Sequence, residues 1–424
     1  MFRSLSTRVL LALAVGLAGG AALAAWGGDG VTAWTDPVEA VGGLWLNALR
    51  MTVIPLVFSL LVTGVASVSD AAATGRLAAR AIGVFAVLIL VGAVYSTLAT
   101  GGLLAVWPVS PEGAEALRAG AGAAPPGALT PPSFSDFIRT LAPSNPIQAA
   151  AEDAVLPLVV FGVFVGFAAT RLPEDLRSSL VTFFRAVAET MIVIVRWVLW
   201  VAPAGVFALS LGVGLRAGLG AVGVLVQYVA IVSLVTAGIS LLPYLLVALR
   251  RGPVSLGDFA RAVAPVQVLA ISTQSSLACL PAMIERANDD LKIPPRVTGL
   301  VLPLAVAVFR LTSTVANLAV AYFMAHVSGV DPSLGQIVAA VAVAFFVSLG
   351  AVGLPGQVSF FVSMTPICLA LGVPLELLPI LLAVEVIPDI FRTIGNVTGD
   401  LGVAALLKRA GEDEVIVDPR SAPV

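Results

Sequence analysis

Asp389-Ile390-Phe391-Arg392-Thr393-Ile394-Gly395-Asn396-Val397-Thr398-Gly399-Asp400 sets two carboxylates, a guanidinium, an amide and two hydroxyls inside an apolar run that extends from 376 to 407. Arg392, Thr393, Asn396 and Asp400 follow Asp389 by 3, 4, 7 and 11 residues. At 100° per residue these offsets form one narrow stripe of an α-helix. Glu385, four residues before Asp389, joins the stripe. Asp389 and Asp400 stand about 16 Å apart along such a helix. A helix edge facing water, held by i,i+3 and i,i+4 pairs, is the plainer reading. The mid-run position and the mixture of charge signs argue against it, because an ionisable group at bilayer depth is costly and marks a functional site by default.

The preceding run, 295–325, repeats the arrangement with Arg310, Ser313, Thr314 and Asn317. Serine and threonine alone are ordinary in membrane helices. Arg310 needs an anionic partner or a water-filled cavity, or else it points to a lipid headgroup or cytosolic water. Each polar run follows an apolar segment broken by Gly, Pro and Ser. These are 256–292, with Ser272-Thr273-Gln274-Ser275-Ser276-Leu277-Ala278-Cys279-Leu280-Pro281, and 335–373, with Ser348-Leu349-Gly350-Ala351-Val352-Gly353-Leu354-Pro355-Gly356-Gln357. Paired interruptions at corresponding places point to a transporter with inverted repeats. Non-helical backbone at that depth must be buried in protein or line a cavity. One solute site enclosed between the four segments follows.

Further apolar runs lie near 6–26, 39–67, 77–107, 147–170, 178–212 and 219–249. Each is long enough to cross about 30 Å of hydrocarbon. The chain is 59% apolar and 11% charged with a mean hydropathy of +1.03, which excludes a water-soluble enzyme. Net charge is -2 without a basic block, so no nucleic-acid partner is expected. Cys279 and Cys368 in apolar surroundings and a single histidine, His326, give no ground for a disulfide, a metal or a cofactor. The fold class is an all-α polytopic membrane protein: eight transmembrane helices plus two re-entrant helical hairpins.

Arg3 and Arg8 before the first run, with alanines at 21–25, also fit a signal peptide, but the apolar stretch is long for one. Kept as a helix, it places Arg3, Arg8, Arg76, Arg80, Arg171, Arg177, Arg250, Arg251, Lys408 and Arg409 on one side. Both termini are then cytoplasmic and the chain is multi-pass in the plasma (inner) membrane. The Gly/Ala/Pro-rich stretch 108–132 reads as an external flexible loop, and the tail after Gly411 as disordered.

These residues resemble the dicarboxylate/amino acid:cation symporter family over nearly the whole chain. The likeness includes Met51-Thr52-Val53-Ile54-Pro55-Leu56-Val57-Phe58, Pro143-Ser144-Asn145-Pro146 and Ala202-Pro203-Ala204-Gly205-Val206-Phe207-Ala208-Leu209, and is most specific at 389–400. It implies a homotrimer in which a transport domain moves like an elevator against a scaffold. The expected division is 1–74 for the N-terminal scaffold helices, 75–172 for helices three and four with the external loop, and 173–252 for scaffold helices five and six. The transport core is 253–410 and the tail 411–424.

The resemblance assigns roles to residues. Arg392 is expected to clamp a side-chain carboxylate, for which a planar fork of donors is suited. Asp389, with Thr393 beside it, receives the substrate's amino group. Asn396 with Ser275 and Ser276 cradles the α-carboxylate, and the segment around Gly353 is the gate. Carriers of C4-dicarboxylates lack the acid at Asp389 and neutral amino-acid carriers lack the arginine. An acidic amino acid is therefore the expected substrate, aspartate ahead of glutamate.

The family's Asn-Met-Asp-Gly-Thr signature is here Phe309-Arg310-Leu311-Thr312-Ser313, and the oxygen donors of the third helix are Phe85, Leu88 and Ile89. A hard cation needs several oxygen ligands, by analogy with other hard cations. Asp389 and Asp400 face Arg392 and Arg310, a sum of zero, where sodium-coupled relatives place three aspartates against one arginine. The expectation is that Arg310 occupies a vacated cation position and pairs with Asp400. Such a pair at 4 Å and an effective dielectric of 20 is attractive by roughly 4 kcal/mol before desolvation. Transport is then sodium-independent, with Glu385 as candidate proton carrier. The alternative is a sodium- or proton-coupled C4-dicarboxylate or amino-acid symporter with partial cation sites. An intramembrane hydrolase on Ser275 or Ser276 lacks a positioned base. A channel expects a ring of carbonyls or like charges, and Gly353-Leu354-Pro355-Gly356 lacks the following Lys of a phosphate loop.

Overall fold

The computed structural model describes residues 5–26, 31–73, 75–120, 143–152, 155–217, 220–250, 252–350 and 356–408. The tail 411–424 and Gly353 lie outside them. The described residues hold helices and no strand. In chain order the helices are α1 (Leu5–Trp26), α2 (Val31–Arg50), α3 (Val53–Ala73), α4 (Arg76–Val106), α5 (Pro111–Gly120), α6 (Pro146–Ala151), α7 (Val155–Ala169), α8 (Glu174–Trp200), α9 (Ala202–Ala217) and α10 (Gly220–Ile239). They continue as α11 (Leu242–Arg250), α12 (Leu256–Thr273), α13 (Ser276–Asp289), α14 (Pro295–Val308), α15 (Leu311–Ser328), α16 (Leu334–Gly350), α17 (Gly356–Leu371), α18 (Leu378–Val384) and α19 (Val386–Leu407).

Six stretches of the described residues are long and apolar enough to cross a membrane by length and composition: Arg8–Ala25, Thr35–Ser67, Arg76–Val106, Glu174–Trp200, Ala221–Arg250 and Pro295–Ser328. Several runs expected as single helices are broken. The run 39–67 breaks at Thr52, 178–212 at Val201, 219–249 near Leu241 and 376–407 at Glu385. Pro55, Pro203, Pro243 and Pro388 then fall in the first turn of the following helix. Proline lacks an N–H, and first-turn N–H groups have no intrahelical acceptor, so it starts a helix without loss. The seventh run breaks at Phe309 and Arg310 with no proline there. The stretch 108–132 was expected as a flexible loop; within it α5 is a helix that packs on α9 and α10. Ser110 caps it, its Oγ accepting from the Gly113 N–H at 3.1 Å.

The middle of the molecule is α19, which touches α10, α11, α12, α13, α14 and α15. Close approach depends on glycine. A Cβ on Gly395 would fall 2.3 Å from both Ser240 Oγ and Thr312 Cγ2, and one on Gly402 would fall 2.7 Å from Pro243. The breaks of the sixth and seventh runs therefore seat directly on α19. The sixth run, grouped with the scaffold in the sequence reading, packs on α15 and α19, as α4 of the third run packs on α15. A second group forms around α9, which carries α1, α2 and α5, and around α3, which carries α7, α8 and α16. Arg250 closes the end of α19 by donating to the carbonyls of Ala405 and Lys408, both at 2.8 Å.

Candidate functional site

Arg392 is 5% exposed, and its Nη2 lies 2.6 Å from Oε1 of Glu385, which is 4% exposed. The guanidinium carbon stands 5.8 Å from the centroid of the Phe360 ring on α17. Neither Nε nor Nη2 has an aligned hydrogen-bond acceptor. Those two atoms form the side edge of a guanidinium, the edge that meets a carboxylate in a fork. Tyr228 of α10, fully buried, donates its hydroxyl to Glu385 Oε2. The tyrosine ring meets Phe323 edge-on at 5.4 Å.

Asp389 is half-buried one turn before Arg392, within electrostatic reach of Arg392 and Arg310. Thr393 donates its hydroxyl to the Asp389 carbonyl at 3.0 Å. Asn396 is tied to the seventh-run break. Its Oδ1 accepts from the Thr312 N–H at 3.2 Å and the Thr312 hydroxyl at 2.8 Å, and its Nδ2 donates to Ser313 Oγ at 2.9 Å. The Thr312 hydroxyl also reaches the Arg392 carbonyl at 2.6 Å. A break in a helix frees backbone N–H groups that must find partners, and the amide on α19 supplies one.

Arg310 sits at that break, half-buried, within electrostatic reach of Asp389, Asp400 and Arg392. Asp400 is fully buried, and neither of its carboxylate oxygens accepts a hydrogen bond. Around Gly399, the residue before Asp400, the space is filled with carbon. The ring of Phe309 stacks on Phe85 of α4 at 4.7 Å and 14°. A Cβ on Gly399 would meet the Phe309 ring at 3.2 Å and Leu311 at 3.9 Å. Leu88 and Ile89 are buried on the same helix as Phe85. Ser275 caps α13, its Oγ accepting from the Ala278 N–H at 3.3 Å, and Ser276 opens that helix. Gln274 makes the turn between α12 and α13 in the left-handed conformation at φ 49°. Cys279, one turn on, lies within electrostatic reach of Asp400.

The polar stripe of α19 thus gathers Glu385, Asp389, Arg392, Thr393 and Asn396, with Arg310 and Asp400 within electrostatic reach of one another. The sequence reading missed Tyr228, Thr312 and Phe360. The adjacent Gln227 and Tyr228 in the mostly apolar run 219–249 were the available signal for the first.

The profile of the sodium:dicarboxylate symporter family matches residues 5–410. The chain belongs to this family. Its members are membrane transporters, not enzymes. Among relatives in the symporter family, the proton/glutamate-aspartate symporter of Escherichia coli is 29% identical over 96% of this chain and 92% of its own length. The C4-dicarboxylate transport protein of Bacillus subtilis is 26% identical over 98% of this chain and 95% of its own length. The human neutral amino acid transporter A is 29% identical over 86% of this chain and 74% of its own.

Proposed function

We propose that the protein is a secondary transporter of acidic amino acids, L-aspartate ahead of L-glutamate, that works without sodium. One observation carries the substrate class. Arg392 is a buried guanidinium whose Nε and Nη2 edge lacks an aligned acceptor, one turn from the half-buried Asp389. A substrate with a distal carboxylate and an ammonium group forks onto that edge and pairs with Asp389. The relatives named above handle glutamate and aspartate, dicarboxylates or neutral amino acids. The pairing of Asp389 with Arg392 favours the first of these.

Sodium independence rests on Phe309, Leu311 and Phe85. In this reading carbon fills the space of former cation ligands, and Arg310 supplies a fixed charge toward Asp389 and Asp400. The rest of the reading follows the family: a homotrimer in the inner membrane with both termini cytoplasmic, moving residues 253–410 by an elevator motion together with α4 and α10, which pack on α15 and α19. Ser275, Ser276 and Asn396 cradle the α-carboxylate, and the segment around Gly353 gates the site. Importing one net negative charge works against about 2.3 kcal/mol per 100 mV. Glu385 is the proposed proton carrier that removes this cost; exchange or facilitated diffusion would need none. Proteoliposomes with a trapped pH dye test it, and absence of substrate-driven proton entry excludes the proton.

A second reading is favoured by Asp400, whose oxygens accept no hydrogen bond. It holds a residual cation site in a dicarboxylate or amino-acid symporter. Thermal-shift titration of the purified chain decides between them, using aspartate, glutamate, succinate and alanine in sodium and in choline buffer. Stabilisation by aspartate alike in both buffers supports the first reading. Stabilisation that requires sodium, or that succinate alone gives, supports the second.

A further inference from the structure

We infer that Glu385, held in place by Tyr228, is an internal stand-in for the substrate's distal carboxylate: it occupies Arg392 in the empty carrier and must be displaced when substrate binds. The inference rests on Arg392 being the carboxylate clamp of the proposed function.

Three elements fix the group. Glu385 lies at the junction of α18 and α19, seven residues before Arg392, so two helical turns bring the side chains together. Its Oε1 is 2.6 Å from Arg392 Nη2. Its Oε2 is held from α10 by the Tyr228 hydroxyl, and Tyr228 is itself locked against Phe323. The guanidinium is held from α17 by Phe360. One carboxylate oxygen is anchored, and the other lies against Nη2 as an ion pair without an aligned hydrogen bond. Nε has no acceptor.

A free carboxylate that forks onto Nε and Nη2 makes two aligned bonds where Glu385 makes none, and takes Nη2 from it. Glu385 then keeps Tyr228 as its partner. The other charged groups within reach of the guanidinium or the displaced carboxylate are Asp389 and Arg310. The consequence is competition between two anions for one edge. The empty carrier presents a neutral Arg392–Glu385 pair rather than a bare buried cation, which is costly to leave uncompensated. Tyr228 is a positioning residue in this scheme.

The experiment uses the purified full chain in detergent and in proteoliposomes. Aspartate affinity, net uptake into substrate-free vesicles and exchange against internal aspartate are measured for the wild type, Glu385→Gln and Tyr228→Phe. Loss of the competitor should tighten aspartate binding about tenfold or more in Glu385→Gln. Net uptake should fall more than exchange, because only net uptake needs the empty carrier to return; a proton-carrier role of Glu385 gives the same split, so aspartate affinity is the deciding readout. Tyr228→Phe should shift affinity in the same direction by a smaller factor, which structural damage would not do. Unchanged or weaker aspartate binding by a folded Glu385→Gln overturns the inference. Should that variant fail to elute as a folded species, unchanged or weaker binding by Tyr228→Phe overturns it instead. A wild-type chain that binds no acidic amino acid or dicarboxylate removes the proposed function itself, and the inference with it.

Discussion

Phe85 and Phe309 stack face to face, with ring centroids 4.7 Å apart and planes 14° from parallel. One comes from the third apolar run and the other from the break in the seventh, so the contact joins two elements that both pack near α19. Leu311 continues the filling toward Gly92, where a Cβ would fall 2.8 Å from its Cδ1. Hydrocarbon at this density leaves no oxygen ligands for a hard cation among these side chains.

Leu311→Asp should therefore destabilise the protein rather than restore an ion site. Leu311 is fully buried, and an unpaired carboxylate there costs several kcal/mol. The unfolding temperature in detergent should fall, and adding sodium should not recover it. Recovery by sodium would mean that the ion still finds ligands.

Arg310→Met should lower aspartate uptake in choline medium by about tenfold or more, since Asp389 and Asp400 would lose a compensating charge worth at least one order of magnitude. Arg310→Lys should retain part of the activity, because the charge remains while the planar fork is lost. Equal activity of all three proteins would show that Arg310 is uninvolved.

Arg392→Lys should weaken aspartate binding about 10- to 100-fold, the loss expected for a charge-assisted fork reduced to a point charge. Alanine, which carries no distal carboxylate, should lose less than threefold on the same scale. Isothermal titration of both ligands reads the difference.

Gly395→Ala tests the packing account. Its Cβ would stand 2.3 Å from Ser240 Oγ and from Thr312 Cγ2. Both neighbours are at chain breaks, and the second is held by Asn396. Overpacking of this kind costs about 1–3 kcal/mol. A lowered unfolding temperature is expected, while Gly83→Ala, where a Cβ meets nothing within 4 Å, should change little.

The polar stripe of α19 was legible because period and chemistry agreed: offsets of 3, 4, 7 and 11 from Asp389 leave a helix no other face. The first broken segment was legible from its Ser, Gln and Pro, and its turn falls at Gln274 and Ser275. Helix breaks at Thr52, Val201, Leu241 and Glu385 were not, although a proline follows each by two or three residues. Run length dominated the reading, and a proline in a helix's first turn leaves the apolar run unbroken. The break at Phe309 and Arg310 carries no local signal. It is stabilised from 80 or more residues away by Asn396 and the Arg392 carbonyl. Tyr228 was hidden for the same reason, because its partner is 157 residues distant.

In the proposed function a fixed guanidinium, Arg310, replaces mobile sodium. Uptake of labelled aspartate into proteoliposomes, with sodium replaced by choline on both sides, tests it most directly. Equal initial rates are expected in the two media. A loss of most of the uptake in choline, restored by adding sodium back, would contradict it.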